Sequence, residues 1–514
     1  MNTVALADLD LGAWRDRAEK ICLPKTAVIA GHEDAPRGGG TRHLINPATG
    51  NRLVDVSECG PDDVDEAVRR GRKAFDTGVW SRSAPAERRD VLLRLAEAVL
   101  ANAADLALLD ALSTGKLVAE SHLQDAPAAA AVLRWFAELL DKGAGEIPVA
   151  DAGDLALVTR EPLGVVAAVV AWNYPLGLAV WKLAPALAAG NSVVLKPHEC
   201  SPLSALRLAA LARVAGLPDG VLSVVPGDGA VVGRALGEHP DVDAVSFTGS
   251  TAVGARYLAY AGASNLKKVS LECGGKSPML VFADAADDLD AVARGVGHGI
   301  FRNRGAICSA TSRLLVQRPV YNELLDRVTA LADAIGLGDP LDPRTGMGPL
   351  INRDHAQRVR TWITTGIEEA PLVTSRFSNS TDGCFVPPAV FAPVSPSSPI
   401  GREEIFGPVL SVMPFSEEEE ALHLANDTSY GLAASVWTSN LRRAHRFATR
   451  LRCGTVSVNT VDAISPCTPF GGFGRSGTAR DLSRHAFAAS TALKTTWIRV
   501  AAPEPLEGQT AAHY

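Results

Sequence analysis

A cysteine, a glutamate and an asparagine lie in stretches that suit chemistry on a carbonyl group. Cys308 sits in "FRNRGAICSATSR" (301–313), between small and apolar neighbours with three arginines nearby. A thiol in such a setting is a small buried hydrophobe or, if a base and an oxyanion donor meet it in space, a nucleophile. Glu272 in "LECGGKSP" (271–278) falls where a strand would end before two glycines. A partly buried carboxylate there has the raised pKa that suits a general base; the competing reading is a solvated turn acid. Asn173 in "AWNYP" (171–175) ends another strand before a proline turn. Its amide either donates to a developing oxyanion or only forms the turn.

Two further stretches suit a dinucleotide. In "FTGSTAVG" (247–254) the Gly249-Ser250 turn ends a strand and opens a helix. Free backbone N–H groups at that positive helix end would receive a pyrophosphate; otherwise it is an ordinary strand-to-helix turn. "LKPHE" (195–199) follows another strand, at the edge where open sheets bind ligands. Lys196 and Glu199 would there hydrogen-bond ribose hydroxyls, or else form an exposed charge pair.

The elements that must position these groups alternate between strand and helix. "PDDVDEAVRRGRKAF" and "RRDVLLRLAEAVLANAADLALLDALS" repeat apolar positions at three and four, so 60–145 reads helical. "GVVAAVVAW", "NSVVLKP", "GVLSVVPG" and "DAVSFTG" then read as strands separated by helices. Among those helices "LGLAVWKLAPALAAG" ends at Gly190, and "SPLSALRLAALARVAGLP" carries a serine cap. Repeated β-α-β units imply a doubly wound parallel sheet. "SPMLVF", "SRLLVQ", "VLSVMPF" and "SVWTS" supply a second α/β domain, and the sequence after about 498 reads as a tail.

Bulk properties agree with a globular protein of two or three domains. The chain has 514 residues, too many for one core, with 47% apolar and 21% charged residues. A net charge of -7 argues against nucleic acid or an anionic membrane as partner. The eight cysteines are scattered without a C-x-x-C pair, which argues against a disulfide framework or zinc site and fits a reducing compartment. The N-terminal "MNTVALADLDLGAW" carries acids where a secretory signal would be basic and apolar, so the cytoplasm is expected. The uncharged run 162–181 is long enough to raise a membrane span, but Asn173, Tyr174 and Pro175 interrupt it.

In their order along the chain these motifs resemble the aldehyde dehydrogenase superfamily from about residue 40 to about 498. The resemblance rests on "NPATG", "WNYP", "GNSVVLKP", "FTGSTAVG", "ECGGKSP", "ICSA", "REEIFGPV", "SVN" and "PFGG". Less universal segments, among them "RWFAELLDKGAGE" and "ARDLSRHAF", are similar to the bacterial γ-glutamyl-γ-aminobutyraldehyde dehydrogenases of putrescine degradation.

The resemblance implies an α/β fold with a Rossmann-type cofactor domain (1–139 and 161–274), a second α/β catalytic domain (275–480) and a small β oligomerisation arm (140–160 and 481–500). The tail would be 501–514. It implies NAD as cofactor, no metal, and a homodimer or homotetramer. Cys308 would attack the aldehyde, Asn173 and the Cys308 backbone N–H would hold the oxyanion, and Glu272 would activate water against the thioester left after hydride transfer. Lys182 would relay protons near the base. Trp172, Lys196, Glu404 and Phe406 fall on cofactor positions, and Glu199 would disfavour a 2′-phosphate. Tyr174, Trp181, Arg302 and Ile464 fall on the substrate tunnel. Arg302 would meet either a substrate carboxylate or a protein acid, unless it turns to solvent.

Three departures from the family pattern stand out. Ala306 replaces the usual glutamine two residues before the nucleophile, Asp481 replaces a widespread glutamate, and the interval from Glu272 to Cys308 is two residues longer than usual, around "ADAADDLD". The thiol, base and oxyanion amide are all kept, so an active enzyme is expected rather than a retired structural or regulatory homologue. The implied substrate is a polar ω-aldehyde such as γ-glutamyl-γ-aminobutyraldehyde; betaine aldehyde, other aminoaldehydes or a semialdehyde are the alternatives.

Overall fold

A computed structural model describes residues 10–500 apart from 39, 152 and 378–382. The expected tail, 501–514, lies outside the described residues, as do residues 1–9.

Two sheets organise the chain. Across the first, the strands run in the order Lys268–Glu272, Ala244–Thr248, Val165–Val169, Ser192–Lys196, Leu222–Val224, Ala27–Ile29 and His32–Asp34. The first five are mutually parallel, and the last two add an antiparallel edge. Val165–Val169 and Ser192–Lys196 are buried along their whole length, as strands covered on both faces must be. The chain moves outward from Val165–Val169 in one direction, then returns to place Ala244–Thr248 on its other side. That reversal is a topological switch point, where open sheets form a crevice.

The second sheet is all parallel, in the order Ala389–Phe391, Val409–Phe415, Arg313–Gln317, Pro278–Val281, Ala433–Trp437 and Thr455–Val458. A separate ribbon pairs Asp154–Pro162 with Thr491–Arg499 in antiparallel register, from Thr491 opposite Pro162 to Arg499 opposite Asp154. Leu493 (60% exposed) and Trp497 (63%) leave this ribbon an apolar outer surface.

Helices cover the sheets as the apolar spacing requires. The first long helix, Pro61–Thr77, begins where Asp63 Oδ2 accepts from Gly60 N (2.8 Å) and ends at left-handed Gly78. The following helical run divides at Asn102 into Pro85–Ala101 and Ala103–Thr114, because the Asn102 side chain donates back to Ala98 O (2.8 Å). One expectation fails here. Leu203–Val214 has no serine cap: it starts after Pro202 with no capping side chain, and Ser201 is drawn into the preceding turn, its N–H donating to His198 O (2.9 Å). The uncharged run 162–181 becomes the strand Val165–Val169 and the start of the helix Pro175–Ala189. Among the described residues no helix is long and apolar enough to cross a membrane.

Candidate active site

The carboxyl ends of the first sheet face the second sheet across a cavity of about 790 Å³. Trp172, Asn173, Lys196, Glu199, Gly249, Ser250 and Glu272 reach it from the first sheet, and Cys308, Glu404 and Phe406 from the other side. Tyr174, Trp181, Arg302 and Ile464 line the same space. Lys182 does not line it. Its Nζ is buried behind the wall, 2.5 Å from Asp481 Oδ2, and Asp481 is the member of that pair that reaches the cavity.

Cys308 is carried by a braced loop. After the helix Leu289–Ile300, the turn Arg302–Gly305 holds Asn303, Arg304 and Gly305 at φ of 46°, 59° and 71°. Gly305 is required there, since a Cβ would lie 2.1 Å from Gly407 O. Two buried amides pay for the strain in hydrogen bonds. Asn303 Nδ2 donates to Asn173 O (2.9 Å) and to Ala306 O (3.2 Å), and Asn173 Nδ2 donates to Ala306 O (3.1 Å). Residue 306 therefore enters the brace through its carbonyl, while its small side chain is fully buried. An amide nitrogen carries two N–H groups, so Asn173 keeps one that is not used on Ala306. The "ADAADDLD" stretch forms a surface 3-10 segment, Ala283–Asp288, which does not line the cavity.

Their surroundings disfavour the ionised form of both the thiol and the carboxyl. Burial pushes the Cys308 thiol up, with Asp462, Glu272 and Glu404 adding to the shift. Glu272 is 3% exposed and neither carboxylate oxygen has a hydrogen-bond partner. Burial raises its pKa well above the usual range and Asp481 raises it further, while Lys182 and Arg480 oppose. Gly471 packs so closely that a Cβ would lie 2.5 Å from Glu272 Oε1. Positive charge brought into the cavity would stabilise both anions together.

The remaining groups fit a dinucleotide. Ser250 caps the helix Thr251–Ala263, whose N-terminus opens on the cavity. Beside it, at the end of its strand, Thr248 Oγ1 is buried without a partner. Lys196 is 3% exposed rather than part of an exposed pair; its Nζ lies 3.5 Å from Glu199 Oε2. At the other end the Trp172 ring packs edge-on to Phe406 at 5.3 Å and to His355 at 5.1 Å. Glu404 accepts from Gly275 N (3.1 Å), and burial pushes its pKa up to about 7. These residues would hold ribose at Lys196 and Glu199, pyrophosphate at the helix end, and the second ribose and ring at Glu404 and Phe406. Glu199 would repel a 2′-phosphate, so kcat/KM for NAD is expected to exceed that for NADP by about tenfold or more. A reversed preference in parallel coenzyme titrations would defeat the Glu199 assignment.

Arg302 meets a protein acid. Its Nε donates to Glu120 Oε1 at 2.8 Å, the protein-acid alternative, while the side chain also lines the cavity rather than turning to bulk solvent. Sequence reasoning passed over Asn303, Glu120 and Asp462, the last of which accepts from Ser309 Oγ at 2.7 Å. Only Asn303 carried a local signal: a polar residue two positions before a glycine, in a loop too tight for regular structure.

Comparison with known proteins agrees with this geometry. Residues 35–496 match the profile of the aldehyde dehydrogenase family. The chain is 46% identical to the NADP/NAD-dependent aldehyde dehydrogenase PuuC of Escherichia coli, covering 96% of this chain and 99% of that protein. It is 47% identical to the crystallised γ-glutamyl-γ-aminobutyraldehyde dehydrogenase of Burkholderia cenocepacia, with a TM-score of 0.93 over 96% of this chain and 100% of that one. An indole-3-acetaldehyde dehydrogenase of P. syringae, solved in complex with NAD+ and IAA, is 46% identical with the same TM-score of 0.93 and the same coverage, 96% and 100%. The chain belongs to the aldehyde dehydrogenase family.

Proposed function

We propose that the protein oxidises a nitrogen-containing ω-aldehyde to the carboxylic acid with NAD, through a thioester on Cys308. The observation that carries this reading is that a thiol, an unpartnered buried carboxyl and an amide with a free N–H share one cavity. Bound NAD supplies the hydride acceptor. The chain's own residues do the rest: Cys308 gives its S–H proton to water in the cavity and the thiolate bonds to the aldehyde carbon, Asn173 Nδ2 and the Cys308 N–H hold the oxyanion, and Glu272 takes a proton from the water whose oxygen replaces Sγ on the acyl carbon, releasing the thiolate. Lys182 acts on Glu272 through Asp481, holding the charge balance behind the base. With thiol, base and amide all present, an active enzyme is favoured over a retired homologue.

For the substrate, γ-glutamyl-γ-aminobutyraldehyde fits best. Its aliphatic chain suits Tyr174, Trp181 and Ile464, and its amino and carboxylate charges cancel. The similarity to the Burkholderia cenocepacia protein named for this aldehyde supports the reading. Cationic aminoaldehydes are the second reading, favoured by Asp462 in the lining. An NADH-coupled screen of γ-glutamyl-γ-aminobutyraldehyde, 3-aminopropanal and phenylacetaldehyde tests it: the first is expected to give the highest kcat/KM. Preference for phenylacetaldehyde would overturn the substrate class, and turnover of none would overturn the function.

The sheet layout supports the division into a cofactor domain (1–139 and 161–274), a catalytic domain (275–480) and an arm (140–160 and 481–500). The exposed apolar surface of the arm ribbon supports a homodimer or homotetramer, which would cover it. Eight free cysteines suit a reducing compartment such as the cytoplasm.

A further inference from the structure

An arginine in the wall of an aldehyde tunnel would ordinarily make an anion site. In this tunnel each nitrogen of the Arg302 guanidinium has a protein partner, which takes up three of its five N–H donors. Nε donates to Glu120 Oε1 (2.8 Å), Nη1 meets His298 Nε2 (2.9 Å) and Nη2 donates to Tyr174 Oη (3.2 Å). Glu120 closes the short helical turn Val118–Glu120, and its side chain is 9% exposed. It does not line the cavity, whereas Arg302 does.

Two further cations are buried behind this wall without lining the cavity: Arg304, which lies in the field of Glu120 and Asp125, and Lys116. Lys116 Nζ lies 2.8 Å from Asp125 Oδ2 and 3.4 Å from the centre of the Tyr174 ring. Asp462, which lines the cavity, adds negative charge near Arg302. A substrate carboxylate reaching this wall would find a guanidinium whose charge is cancelled at contact distance. It would also meet the field of Glu120 behind it.

We infer that Glu120 is a specificity-determining positioning residue: by pairing with Arg302 it cancels the anion site in the tunnel wall and makes the enzyme discriminate against aldehydes whose far end carries a net negative charge, as an ω-carboxylate without a neighbouring ammonium does. The inference rests on the cavity being the aldehyde site. The physical basis is one fixed counter-charge. At a partly buried site, an arginine freed of its acid attracts a carboxylate by several-fold to many-fold in binding, and a retained acid removes that gain.

Succinic semialdehyde and butanal test it, since both have four carbons and differ by the carboxylate. The ratio of their kcat/KM values is the readout, because a change that is merely structural lowers both alike. Wild type is expected to prefer butanal by about tenfold or more, and Glu120→Gln to shift the ratio toward succinic semialdehyde by about tenfold. Adding Arg302→Met to Glu120→Gln is expected to restore the wild-type ratio. If Glu120→Gln leaves the ratio within twofold of wild type, the inference is wrong.

Should Glu120→Gln not fold alone, the double variant Glu120→Gln/Arg302→Met decides. It is expected to leave the ratio within twofold of wild type, because the pair it removes carries no net charge. A roughly tenfold loss of succinic semialdehyde activity relative to butanal would show that Arg302 serves as an anion anchor, which overturns the inference. Wild type preferring succinic semialdehyde would overturn it too. No turnover of any aldehyde would remove the functional reading and this inference together, whereas an unchanged ratio in Glu120→Gln removes the inference alone.

Discussion

Cys308→Ala is expected to abolish aldehyde oxidation, with kcat lowered by at least about 10⁴-fold while coenzyme still binds. Single-turnover mixing with aldehyde and NAD should show no NADH burst, and substantial NADH from this variant would remove Cys308 from the role. The structure sharpens the test by offering a second thiol in the same cavity. Cys273 also lines it, next to Glu272, and burial pushes its thiol up to about 12. Its Sγ, however, is packed against the helix Thr251–Ala263, 3.0 Å from where a Cβ on Gly254 would sit. Cys308 instead follows the loop that Asn173 braces, so only Cys308 is set beside an oxyanion donor. Cys273→Ala should therefore retain the burst. Because the Cys308 thiol is held above its ordinary range, its alkylation by iodoacetamide should be slow at neutral pH and accelerate as pH rises.

The parts legible in the sequence were those written in local pattern. The parallel strands Val165–Val169 and Ser192–Lys196 are continuous apolar runs bounded by turn residues, and the helix Pro175–Ala189 carries its own stop at left-handed Gly190. The three-residue strands Ala27–Ile29 and Ala389–Phe391 were not legible, because a segment that short becomes a strand only through the neighbour it pairs with. The same division holds in the site. Cys308, Glu272 and Asn173 each end or follow an element whose pattern is local, so their residue types could be read as chemistry. The partners that set their behaviour come from distant chain. Asp481 reaches Lys182 across 299 positions, Asp462 reaches Ser309 across 153, and Glu120 reaches Arg302 across 182. No spacing along the chain encodes such pairs, so the charge of Arg302 was visible in the sequence and its cancellation was not.

Glu272→Gln is expected to separate the two halves of the reaction. Thioester formation needs the thiol and the oxyanion donors, whereas hydrolysis needs a base for water, so NADH should appear in a burst followed by a slow phase. The slow phase should lie about 10²–10⁴-fold below the wild-type rate, the usual worth of a positioned general base. The sign of the pH dependence follows from the environment. Burial first, and Asp481 second, hold the carboxyl above its ordinary range, with Lys182 and Arg480 opposing. The unprotonated form is the base; its fraction grows as pH rises toward that raised value and falls below it. Wild-type steady turnover should accordingly climb from neutral toward alkaline pH, and Glu272→Gln should lose that climb in its slow phase. The burst amplitude separates this assignment from a structural effect, since a misfolded cavity would lose burst and slow phase together. Normal steady turnover without a burst would contradict it, because hydrolysis would then be fast without the carboxylate. Gly471 supplies the structural reason for expecting glutamine to be tolerated: it leaves no Cβ against Oε1, and the amide matches the carboxyl in shape. What changes is only the capacity to take a proton from water.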